Sequence, residues 1–128
     1  METDLFTLAR STKYPIDAFL FVQRGLDFTA QRVHGEDKPG AAPLGRHVTG
    51  QQLCRGLRDY ALAQYGLLAR TVLGHWHIEK SEDFGKIVFA MIDAGLMHKT
   101  AEDNIEDFSG VYDFNEAFAV SLAKGEHA

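Results

Sequence analysis

Two histidines one residue apart, His75 and His77, are the first groups in this 128-residue chain whose type and spacing suggest chemistry. On an extended segment alternate side chains share a side, so the run His75-Trp76-His77-Ile78 would turn both imidazoles toward one ion. His47, His98 or an acidic side chain would complete the shell, and a metal so held would serve hydrolysis. The chain has no His-Glu-x-x-His pair, no Cys-x-x-Cys and no alternating acidic calcium loop. The competing reading makes the two histidines surface or hydrogen-bonding groups around a buried Trp76, and no cofactor is expected.

Cys54 is the only cysteine. A nucleophilic thiol needs a lowered pKa and a nearby base, and nothing local supplies them, so packing is the expected role. Acidic residues have a stronger claim to function. Glu102, Asp103, Glu106, Asp107, Asp113 and Glu116 occur between Ala101 and Glu116 without a Lys or Arg among them. If Ala101 to Asp107 is helical, Asp103, Glu106 and Asp107 lie within one turn, and their repulsion would be relieved by a basic partner. Tyr112 and Phe114 beside them would supply the desolvated contacts that charge lacks, or would close the core against the last helix. A solvated acidic face is the plainer alternative. Arg46, Arg55 and Arg58 form the opposite kind of cluster, suited to phosphate contacts if all three face outward.

These groups must be positioned by helices. Pro15 suits the first turn of a helix over Tyr14 to His34, whose apolar residues recur at three and four. Asp4 to Arg10 forms a short helix before it. Thr49 with Gln52 fits a capping box, so a helix begins at Gly50 and uses Leu53, Leu57, Tyr60, Ala61 and Gln64 on its inner face. Gly66 ends or kinks it, and Leu67, Leu68, Val72 and Leu73 suggest a short helix stopped near Gly74. Ser81 caps the next, with Phe84, Ile87, Val88, Met91 and Ile92 as its stripe and Gly95 as the left-handed residue beyond it. Leu96 to Phe108 reads either as a hairpin, which would make the domain winged-helix-like, or as a further short helix. Asp113 with Glu116 marks a final modest helix. The fold class expected is mainly α, compact, with the small winged hairpin as an α+β variant.

Length and composition set the outer bounds. At 14.2 kDa and 45% hydrophobic the chain suits one helix-rich domain over residues 1–128, with a surface loop at Gly35 to Gly45. Residues 1–62 hold eight Lys or Arg against seven acids, and residues 63–128 hold five against eleven. The formal charge of -5 disfavours a polyanion partner. No apolar run approaches the roughly 20 residues of a membrane span, and the N-terminus lacks a signal-peptide layout, so a soluble cytoplasmic location is expected.

Several segments carry a resemblance: DAFLFVQRGLDFTA at 17–30, HVTGQQL at 47–53, GLRDYALAQYG at 56–66, EDFGKIVFAMIDAGL at 82–96, KTAEDNIEDF at 99–108 and YDFNEAF at 112–118. In this order they resemble a small bacterial family met chiefly in planctomycetes, verrucomicrobia and related phyla. The resemblance implies no particular activity, cofactor or catalytic residue. Three functional expectations therefore rest on the residues. The first is a nonenzymatic interaction or structural module using the acidic C-terminal surface (Asp103, Glu106, Asp107, Tyr112, Phe114) toward a basic or peptide-bearing protein. The second is a metal-assisted hydrolase using His75 and His77, and the third a winged-helix-like nucleic-acid binder using Arg46, Arg55 and Arg58.

Overall fold

The computed structural model describes residues 4–35, 48–98 and 104–119. Every regular element among them is helical: α1 (Leu5–Arg10), α2 (Ile16–His34), α3 (Gly50–Tyr65), α4 (Ala69–His75), α5 (Ser81–Asp93) and α6 (Phe114–Ala117), with 3₁₀ turns at Gly66–Leu68 and Ile105–Phe108. The mainly α expectation holds. The hairpin does not, among the described residues: chain after α5 turns at 94–97, and Ile105–Phe108 is a 3₁₀ turn rather than a strand. The expected Gly35 to Gly45 loop, apart from Gly35 itself, falls outside the described residues. No helix among the described residues is long and apolar enough to cross a membrane.

Local signals account for most helix ends. Asp4 caps α1 by accepting from the Thr7 amide at 2.7 Å, and this hydrogen bond holds its carboxyl below its ordinary value. Pro15 stands just outside α2 as its N-cap. The capping box of α3 forms as expected: Thr49 Oγ1 accepts from the Gln52 amide at 3.1 Å, and Gln52 Oε1 accepts from the Thr49 amide at 2.9 Å. Beyond α5, Gly95 has φ +78°, with the Leu96 amide donating to Met91 O and the Gly95 amide to Ile92 O. That paired pattern is a Schellman motif.

Two expectations change at helix ends. α4 stops near Gly74, at His75, but residues 75–78 are not extended: the left-handed position beyond the helix falls to His77, at φ 66°. The His77 amide donates to Gly74 O and the Ile78 amide to Leu73 O, so this too is a Schellman motif, with Leu73 and Ile78 both fully buried. Ser81 does not cap α5. Its hydroxyl donates to Phe108 O at 2.7 Å and accepts from the Val111 amide at 3.1 Å, while Asp83 accepts the amides that precede the helix.

The core is one connected cluster. α2 and α3 interlock through two glycines: Leu57 fills the space over Gly25, and Thr29 fills the space over Gly56. Thr29 is held there because its Oγ1 donates to Gly25 O at 2.7 Å. Leu53, Leu57 and Ala61 face inward as expected, but Gln64 is exposed, as are Leu67 and Leu68 at 59% and 63%. A second docking joins α3 and α5 to the chain that follows them. The Phe108 ring sits in a slot where a Cβ on Gly85 would lie 2.8 Å from Cγ and one on Gly50 3.1 Å from Cε1. Glu82 secures the same segment, accepting from the Gly110 amide at 3.1 Å and the Ser109 hydroxyl at 3.3 Å. Burial opposes the Glu82 charge, but these donors and nearby Lys80 outweigh it and hold the carboxyl below its ordinary value.

Because Thr29 is fixed by its own hydrogen bond, a methyl at position 56 has no free space to enter. Gly56→Ala is therefore expected to cost about 1–3 kcal/mol despite the better helix propensity of alanine, read as a lower urea midpoint at unchanged slope.

Candidate functional site

A cleft of about 440 Å³ lies between α1, the 11–17 connection and the end of α4. Phe6, Arg10, Lys13, Tyr14, Asp17, His75, Trp76 and His77 supply its chemistry. Helical spacing puts Phe6 and Arg10 one turn apart on α1, and the Arg10 guanidinium lies 5.6 Å from the Phe6 ring centre. The connection is shaped by Thr12, whose Oγ1 donates to Ala9 O at 3.0 Å and accepts from the Tyr14 amide at 3.1 Å. Lys13 Nζ stands 5.3 Å from the Tyr14 ring centre. Across the cleft, the left-handed turn at His77 reverses the chain and leaves both imidazoles exposed.

Trp76 is half-buried, its ring 5.7 Å from Phe21 and 6.1 Å from Tyr65. Phe21 also meets Tyr60 at 5.4 Å, so the tryptophan is the outermost member of an aromatic row running back to α2 and α3.

The two walls are joined by one carboxylate. Asp83 is 1% exposed; its Oδ1 accepts from the Tyr14 hydroxyl at 2.5 Å, and its Oδ2 accepts from the Glu79 amide at 2.8 Å and the Lys80 amide at 3.1 Å. Lys13 Nζ approaches Oδ1 at 3.9 Å. A buried carboxylate is tolerated only when so surrounded by donors. Burial and the hydrogen bond to Asp83 push the Tyr14 phenol far above its ordinary value, so it remains a donor wherever the chain is folded. Asp83 stands in the first turn of α5, an ordinary place for a solvated acid. That it is buried was hidden, because its partner is 69 residues away.

The expected sites fare differently. His75 and His77 both line the cleft, but on a helix end and a turn rather than on a strand, and no group of three His, Cys, Asp or Glu residues able to hold a metal occurs among the described residues. His98 is exposed beyond α5, and His47 lies outside the described residues. Cys54 is fully buried, and burial, then the Glu82 charge, push its thiol up to about 12 despite Arg55. It packs in the core.

Of the acidic group, Asp103 lies outside the described residues, Glu106 is exposed and Asp107 half-buried. Of the two aromatic anchors expected beside them, Phe114 is buried and Tyr112 half-buried. Phe114 is 3% exposed, 4.9 Å from Phe118 and 5.8 Å from Phe84, with the Arg70 guanidinium 5.4 Å from its ring centre. Tyr112 stacks on the same cluster and donates to Cys54 O at 2.6 Å, and its phenol is pushed well up, chiefly by burial. Both residues close the core. Arg46 lies outside the described residues and Arg55 is exposed. Arg58 is committed to Asp59 at 3.0 Å, while Asp59 also accepts from Arg32 at 2.8 Å.

Arg10, Lys13 and Tyr14 were missed because no local motif links them to residues 75–77. A pointer existed in Arg10 and Lys13, two cations three apart that flank the break between a short amphipathic helix and Pro15. Compared with family models, curated proteins and solved structures, the chain matches none.

Two measurements check this construction of the site. Tyr14→Phe removes a donor from a buried carboxylate and is expected to cost about 1.5–3 kcal/mol, with Asp83→Ala costing more because it strands the phenol and two amides. Addition of Tyr14→Phe to Asp83→Ala should then cost little further, which a double-mutant cycle by urea denaturation reads directly. His77→Gly is expected to raise stability by about 1 kcal/mol, since glycine takes the left-handed conformation without the Cβ clash.

Proposed function

We propose that this chain is a nonenzymatic interaction module, and that its partner docks in the cleft between α1 and the α4–α5 turn. The observation that carries this reading is the gathering of Arg10, Lys13, His75 and His77 around Phe6 and Trp76 in one concave surface. Binding sites combine partly exposed aromatic area with a few oriented polar groups, and Arg and Trp are the side chains that most often dominate binding energy. His77 adds support: it holds a left-handed conformation that glycine would hold at lower cost, and its imidazole stands on the cleft.

A catalyst is less well supported. Cys54 is buried with its thiol pushed up, the Tyr14 phenol is held well above its ordinary value by burial and Asp83, and Asp83 has both oxygens engaged. The acidic C-terminal surface retains Glu106 and Asp107, but Phe114 is buried in the core and Tyr112 is half-buried against it.

The test compares two folded variants as baits in the native lysate: Arg10→Gln with Lys13→Gln, and Glu106→Gln with Asp107→Gln. Loss of the main specific partner is expected from the first variant alone. Loss from the second alone would return the interface to the acidic surface, and retention by both would overturn the reading.

A further inference from the structure

Resting on the cleft reading, we infer that the segment recognised there is an acidic peptide, with carboxylates for Arg10 and Lys13 and an apolar or aromatic side chain for the surface between Phe6 and Trp76. Charge selects the occupant. Arg10 has no carboxylate partner among the described residues and is held only against the Phe6 ring, which leaves its donor array directed at whatever enters. Lys13 is 59% exposed and reaches buried Asp83 only at 3.9 Å, too far for a hydrogen bond, so its ammonium also remains available. His75 and His77 add imidazole N–H donors on the opposite wall.

Asp17 is the one carboxylate on the lining, and it limits the charge density the cleft accepts. A nucleic acid, with a phosphate at every step, would bring charge against Asp17 and against the formal net charge of -5. A peptide can place its acids at Arg10 and Lys13 and a neutral residue at Asp17. The apolar part matters equally. Phe6 is 55% exposed although it is a large aromatic side chain on a helix whose other face packs into the core, and Trp76 extends the same surface. Burial of an aromatic residue between them supplies stabilisation that rim charges in high salt do not.

The chain has a single tryptophan and it lines this cleft, so intrinsic fluorescence reports occupancy directly. Capped peptides containing Glu-Phe-Glu, Gln-Phe-Gln and Lys-Phe-Lys are titrated at low salt, with anisotropy of the fluorescein-labelled acidic peptide as a second readout. The acidic peptide is expected to saturate, to shift Trp76 emission and to bind about tenfold more weakly when Arg10→Gln and Lys13→Gln are combined, the loss of two exposed charge pairs. Phe6→Ala should weaken both the acidic and the neutral peptide while thermal melting stays near that of the parent. Equal binding of the neutral and acidic peptides, absence of saturation in both readouts, or displacement of the labelled peptide by acetate or phosphate at matching concentration would overturn the inference, the last by showing a simple anion site. Failure here with a cleft-dependent partner in the lysate experiment would leave the docking site in place and remove only its assigned chemistry.

Discussion

The geometry of the cleft depends on a carboxylate that is not in contact with solvent. Asp83 takes a proton donor from the chain leading into α2 and two from the chain leading into α5, so one side chain ties the Tyr14 wall of the cleft to the segment that follows His77. The arrangement is also restrictive. A buried carboxyl group must keep its donors, so neither segment can drift without leaving polar atoms unpaired. On the proposed docking, the surface groups of the cleft would be preorganised before a partner arrives.

How far the sequence foretold this structure depended on the range of the interaction involved. The capping box at Thr49 and the left-handed glycine at position 95 were legible because donor and acceptor lie within one turn of each other. The end of α4 was not, for two physical reasons. His77 occupies a position where glycine is the usual signal, and the alternation of polar and apolar residues at 75–78 imitates a strand. What decided the outcome was Ile78, whose burial beside Leu73 completes the turn.

The candidate site was half legible. His75 and His77 were found by type and spacing and do stand together on the cleft, although their expected shared metal has no third ligand among the described residues. Arg10 and Lys13 were missed because their relation to the histidines exists only after Tyr14 has met Asp83. The aromatic residues at 112 and 114 read two ways in the sequence, as partner anchors or as groups closing the core. Phe114 packs against Phe84 and Phe118, and half-buried Tyr112 stacks beside it and donates to Cys54 O. Sequence neighbours carried the charge, and distant residues decided the burial.

The slot for Phe108 has a consequence for the order in which the molecule can be built. Its sides are Gly50 and Gly85, and the ring that fills it comes from farther along the chain than either. As the polypeptide leaves the ribosome, the residues of α3 and α5 emerge before Phe108 does. Closure of this part of the core consequently has to wait for that one aromatic side chain, whatever the order in which the helices form.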